Sequence, residues 1–249
     1  MAEWFGMDTL RSDDPLAATV TAAIQTGDVP ALTRLLLEHD GLAAVTISNT
    51  KGTQRTLLHL VTDWPGYFPH GPAVAQLLLQ AGADVNAVMV GGRFAESALH
   101  SAASSDDADV AAVLIGAGAE LSMPGGCIGT PLANAVAFGC WHVARLLVAA
   151  GAPVDELWQA AALGLSERIE VLLSADPAPS EVEINESFWQ ACHGGQRRAA
   201  ERLLAAGADL NFRPGYSDET TPLAAARSHD NQRENLIEWL EAQGAQAID

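Results

Sequence analysis

The residues whose types and spacing suit chemistry best are Asp63, Trp64 and His70, close together in one stretch, with Ser104, Ser105 and Asp106 as a second polar cluster further along. A carboxylate, a titratable ring and hydroxyls brought to one surface meet the first requirement of general acid/base work. The same second cluster also reads as a capped turn. Asp106, Asp107 and Asp109 precede a helical run, and negative charge favours a helix N-terminus. His142, His193 and His229 join His70 as rings that titrate near neutral pH and act as base or ligand, or as ordinary surface histidines. The sequence has no His-x-x-x-His pair and no Cys/His cluster, so neither a metal nor a cofactor is expected. Pro124-Gly125-Gly126 lacks the lysine and the strand-to-helix setting of a phosphate loop.

Aromatics make up only 6% of the chain, which singles out Trp64, Trp141, Trp158 and Trp189. An indole offers a large apolar face with one donor, and tryptophan is enriched where binding energy concentrates. Packing between neighbouring elements is the competing explanation.

The elements that must position these residues repeat. Ala81-Gly82-Ala83-Asp84-Val85-Asn86 is echoed by Ala117-Gly118-Ala119-Glu120-Leu121, Gly151-Ala152-Pro153-Val154-Asp155 and Ala206-Gly207-Ala208-Asp209-Leu210-Asn211, with a last echo at Gln243-Gly244-Ala245. Successive glycines lie 36, 33, 56 and 37 residues apart, and a worn copy at Ser174-Ala175-Asp176-Pro177 fills the long gap. An amphipathic run precedes each loop, for example Val143 to Val148 and Ala200 to Leu204, and the loop glycine suits the left-handed residue that ends a helix. Upstream of each run a second short helix is predicted, opening at Thr130-Pro131-Leu132 or Thr221-Pro222-Leu223, with proline where its missing N–H costs nothing. An N-terminal unit is readable too, with Asp14 capping Pro15 to Ile24 and a second helix over Ala31 to Glu38.

The period near 33 residues and the words Arg55-Thr56-Leu57-Leu58-His59, Ser97-Ala98-Leu99-His100 and Thr130-Pro131-Leu132-Ala133 resemble the ankyrin repeat family, with its Thr-Pro-Leu-His segment and Gly-Ala-Asp loop. The resemblance implies an all-α solenoid of about seven helix-turn-helix repeats. A single ankyrin repeat domain is expected over residues 16–249, with residues 1–15 as an N-terminal extension. It also implies that His59 and His100 make structural hydrogen bonds, and that first helices and loops line a concave face. Aligned on these words, Ser101, Asn134, Gln159 and Gln190 share one position that tends toward that face, a polar ladder for a peptide or ligand, or merely solvated side chains. Trp158 and Trp189 fall at the family's histidine position. The chain departs from the family pattern in an insertion from Trp64 to Pro72 and a long loop from Ala87 to Glu96.

With 31 acidic and 13 basic residues, the formal charge of −18 repels phosphate backbones and draws basic partners, so nucleic acid is not expected as a ligand. Three scattered cysteines, Cys127, Cys140 and Cys192, suit reduced thiols in the cytoplasm. No signal-like or bilayer-spanning run stands out. The sequence therefore points to a noncatalytic protein-binding scaffold with an acidic concave groove and a basic or mixed partner. The residues singled out for binding are Asp63, Trp64, His70, Ser101, Asn134, Trp141, Gln159, Gln190 and His193. Two alternatives remain at this stage: an enzyme or small-molecule binder with its site near the insertion, and an immunity-like neutraliser of a basic protein.

Overall fold

The computed structural model describes residues 9–215, 220–227 and 233–246. They form a mostly helical chain that divides into two compact units, Met1–Ala152 and Pro153–Asp249.

In the first unit the helices come as consecutive antiparallel pairs: α1 (Pro15–Thr26) with α2 (Val29–Glu38), α3 (Leu57–Val61) with α4 (Gly71–Gln80), α5 (Ala98–Ser105) with α6 (Ala108–Gly116), and α7 (Pro131–Ala137) with α8 (Trp141–Ala149). Local chemistry starts most of them. Asp14 accepts a hydrogen bond from the Leu16 amide, Asp28 from Ala31, Asp107 from Val110 and Thr130 from Ala133, each satisfying an amide the helix leaves unpaired. The turn between partners is a fixed motif. The Asp28, Asp107 and Cys140 amides donate to the carbonyls of Ala23, Ala102 and Ala135, which puts these three alanines in register. Alanine and leucine dominate the core, with Leu58, Val74, Leu78, Ala102, Leu114 and Leu147 essentially without solvent exposure, so the helices approach closely.

The all-α expectation missed a small sheet. β1 (Thr9–Arg11), inside the segment expected as an extension, runs parallel to β2 (Thr46–Ser48), and β2 pairs antiparallel with β3 (Gln54–Thr56). Leu10 and Ile47 turn inward from it. The β2–β3 turn is held by Asn49, whose side-chain oxygen accepts from the amides of Lys51 and Thr53. Isolated bridges between Gln54 and Val90 and between Val88 and Ser97 carry extended pairing into the long loop.

In the second unit the pairs are α9 (Leu157–Leu163) with α10 (Ser166–Leu173), α11 (Glu181–His193) with α12 (Arg197–Ala205), and α13 (Pro222–Arg227) with α14 (Glu234–Ala242). Phe188, Cys192, Leu203 and Leu240 form a core with no solvent exposure. The same inter-helix bond recurs, Leu165 to Ala160 and Gln196 to Ala191. Counting back from those alanines puts Trp158 and Trp189 at the position of His100, as expected from the sequence. The 13-residue α11 starts well before that position because Ser180 and Glu183 form a reciprocal capping box.

Candidate functional site

The insertion of residues 64–72 is built into the first unit by its glycines and by one tyrosine. Gly27 turns the chain between α1 and α2 at φ 67°, and a Cβ there would lie 2.0 Å from the Pro69 carbonyl oxygen. Gly66, at φ 77°, comes so close to Ser105 that a Cβ would sit 3.0 Å from its side chain. Only glycine accepts both the left-handed backbone and these approaches. Tyr67 spans to the next turn: its amide donates to Asp107 Oδ2 at 3.1 Å and its hydroxyl to the Asp106 carbonyl. Asp106 in turn receives the Val143 amide at 2.9 Å and faces His142 Nδ1 at 2.7 Å. Asp107 caps α6, though buried and not solvated, whereas Asp106 bonds across to the insertion and to α8. Held in this way, Trp64 and Tyr67 remain 82% and 63% exposed, an unusual disposition for two large aromatic rings.

Beside Trp64 lies a cavity of about 310 Å³, lined among others by Arg55, Asp63, Glu96, Ser101, Ser104 and Ser105. β3 supplies Arg55, the C-terminal end of α3 leads into Asp63, and α5 supplies the serines. Arg55 Nη1 donates to Asp63 Oδ2 at 2.7 Å, while Asp63 Oδ1 receives the Trp64 amide at 3.1 Å. Glu96 Oε1 accepts from the Cys127 amide at 3.0 Å and from Asn134 Nδ2 at 3.4 Å. The two histidines of the repeated word are structural. His59 Nδ1 accepts from the Thr56 amide and Nε2 faces the Glu96 carbonyl at 2.9 Å, which fixes the tautomer. Burial pushes the His59 pKa down, against the smaller opposing effect of that carbonyl, so the ring stays neutral. His100 repeats the arrangement with Ser97 and Gly129, and burial lowers its pKa in the same direction.

Of the residues singled out from the sequence, the structure gathers Asp63, Trp64 and Ser101 around this cavity, with Ser104 and Ser105. His70 is exposed in the left-handed region at φ 55°, at the start of α4, and does not line the cavity. The polar ladder is not a solvated one. Asn134 is fully buried, donating to Glu96 and Ser104 and accepting from the Ile128 amide. Gln159 and Gln190 of the second unit are also buried, and Gln190 Oε1 has no hydrogen-bond partner among the described residues. Trp141 is buried, and so is His193, which stacks on Trp189 with ring centroids 5.1 Å apart. Trp189 donates its indole N–H to the Thr220 carbonyl at 2.9 Å. Asn134 is covered by the loop before its own helix and by the preceding repeat. His229 lies outside the described residues.

Sequence reasoning missed Arg55, Glu96 and Tyr67. Glu96 directly precedes the Ser97-Ala98-Leu99-His100 word, and Tyr67 sits among glycine and proline in the insertion, so both carried a positional signal. Among the described residues, no three His, Cys, Asp or Glu side chains gather as a metal would require, and no helix is long and apolar enough to cross a membrane.

A family model described as ankyrin repeat matches residues 53–89, the stretch that holds Asp63, Trp64 and the insertion. No curated protein matches the chain in sequence. Among solved structures, the human ASB11 ankyrin repeat domain is similar with a TM-score of 0.52 and 21% identity, over 94% of this chain and 100% of that one. The ankyrin repeat domain of Bcl-3 is similar with a TM-score of 0.51 and 23% identity, over 90% and 97% of the two chains.

Proposed function

We propose that this chain, an ankyrin repeat protein by its fold and by the repeat at residues 53–89, is a noncatalytic scaffold that binds another protein through its first unit. Ankyrin repeat domains are generally protein–protein interaction scaffolds. One observation carries the reading to a location: Tyr67 is tied down by its amide and hydroxyl and Trp64 by its amide, yet both rings are left exposed beside a polar cavity. Natural surfaces seldom leave such rings uncovered, and rigid aromatic anchors beside a polar recess are the usual centre of an interface. The formal charge of −18 favours a basic or mixed partner and gives the encounter a salt dependence.

The hydrogen bonding around the cavity favours binding over turnover. Both ring nitrogens of His59 are engaged by backbone groups, and Asp63 is held by Arg55 and by the Trp64 amide. A small molecule in the same cavity is the second reading, since about 310 Å³ lies at the lower end of the volumes that hold ligands, roughly 300–1,000 Å³.

The test is to isolate partners from the source cells with the wild-type chain and with a Trp64→Ala/Tyr67→Ala double variant, then measure the affinity of the purified partner for both. Loss of two anchors is expected to weaken binding about a thousandfold, from roughly 2 kcal/mol per anchor. Equal affinities would refute the location. If no protein binds, and a metabolite raises the melting temperature in a Trp64-dependent way, the second reading replaces the first.

A further inference from the structure

Around the first unit's cavity, hydrogen-bond acceptors outnumber free donors. Ser104 and Ser105 give their hydroxyl protons to the carbonyls of His100 and Ser101 at 2.9 and 3.1 Å, so their oxygens offer lone pairs, that of Ser104 shared with Asn134. Thr62 likewise turns its proton to the carbonyls of Leu58 and His59. Arg55, the cation of this lining, is neutralised by Asp63 at 2.7 Å, and the second basic ring, His59, is neutral. Glu96 bonds to uncharged donors, the Cys127 amide and Asn134, and no cation pairs with it among the described residues. The cavity thus carries one uncompensated carboxylate, several hydroxyl acceptors, and an exposed indole at its margin.

We propose that this cavity receives an arginine side chain from an exposed segment of a protein partner, its guanidinium facing Glu96 and the oxygens of Ser104 and Ser105, with Trp64 flanking its plane. The inference rests on the protein-binding reading above and names the chemistry of the bound group. Arginine fits better than lysine because its five donors lie in one plane and suit acceptors that come from two elements, α5 and the loop before it. A guanidinium is also less strongly hydrated than an ammonium and packs against an indole face. The chain's negative field draws such a cation and repels a carboxylate competitor.

The experiment is an NMR titration of the full chain with N-acetyl-arginine methylamide, run beside the corresponding citrulline, lysine and glutamate compounds. The arginine probe is expected to shift the Trp64 indole N–H and the amides of Glu96, Ser104 and Ser105 in a saturable way. Citrulline, the same shape without the charge, should bind at least about tenfold more weakly. Glu96→Gln, which keeps the acceptor used by Cys127 and Asn134, should weaken arginine binding by about the same factor while the spectrum stays dispersed. Trp64→Ala, at an exposed position, provides a second variant that leaves the fold intact and should lower the affinity severalfold. An equal response to citrulline, shifts confined to other residues, or stronger binding of the glutamate compound through Arg55 would each overturn the proposal. Failure of the arginine probe, with partner binding still dependent on Trp64 and Tyr67, removes the arginine and leaves the scaffold reading in place. Arginine binding without any protein partner removes the partner and the scaffold reading together.

Discussion

Replacing Asn134 by alanine is expected to destabilise the first unit strongly, although the residue sits where a polar ladder for ligands was expected. Its amide is fully buried and makes three bonds: Nδ2 to Ser104 Oγ at 3.1 Å, Nδ2 to Glu96 Oε1 at 3.4 Å, and Oδ1 from the Ile128 amide at 3.2 Å. Each such bond contributes about 1 kcal/mol net, and the Glu96 carboxylate loses one of its donors in a partly buried setting. The sum is about 3 kcal/mol. With a urea slope of roughly 1–3 kcal/mol per molar, the midpoint of unfolding should fall by about 1 M or more. Urea unfolding followed by circular dichroism reads this shift, and hydrogen exchange of the Ile128 amide reads the local part. Ser101→Ala, at the same position one repeat earlier and half-buried, serves as the comparison and should stay within about 0.5 kcal/mol of wild type. A loss below about 1 kcal/mol for Asn134→Ala, or unchanged protection at Ile128, would refute the bonding scheme.

Stability should also fall as pH drops. Burial holds the pKa of His59 and His100 below the ordinary value of 6.5, so the stability they contribute is complete above about pH 6.5 and is lost as pH falls toward their folded-state values. The melting temperature is expected to decline from pH 7 to pH 5, and His100→Asn should flatten that slope; an identical slope would contradict the assignment. Thiol labelling of the native protein at pH 8 should leave Cys140 and Cys192 unreacted, because burial pushes the Cys140 pKa up to about 11 and the Cys192 pKa higher still, and all three cysteines should react in denaturant. Rapid native labelling of Cys192 would show that the second unit opens where it is drawn closed. Gln190→Leu should raise the stability of the second unit by about 1 kcal/mol, because it replaces a buried carbonyl without a partner by an apolar group of similar size; a lower melting temperature would mean that the amide is satisfied.

The helical pairs were legible because their signals are local and repeated. Asp14, Thr130 and Pro222 mark helix starts, and the recurring glycine loops mark their ends. The register that puts Trp158 and Trp189 at the histidine position was also readable, since it depends only on counting from one loop to the next. The sheet was not, because strands of three residues are too short to show an alternating pattern. Site prediction divided along the same line. Asp63 and Trp64 stood out because they lie where the repeat is interrupted, whereas the burial of Asn134 against Glu96 and Ser104 depends on contacts between residues distant in sequence. Glu96 and Arg55 escaped notice because an ordinary charged residue acquires a role only through the partner it meets or lacks.

Helix α8 takes its cap from outside its own repeat. Cys140, at its N-cap, makes no side-chain bond to it, and the Val143 amide is instead satisfied by Asp106 from the preceding turn, the same residue whose carbonyl anchors Tyr67 of the insertion. The helix pair α7–α8 is therefore not an interchangeable module. Transplanted or duplicated alone, it would begin with an open amide, and a deletion that removed the α5–α6 turn would unseat both α8 and the insertion. The α5–α6 turn, the insertion and α8 are therefore inherited together, because one residue, Asp106, bonds to both of the others.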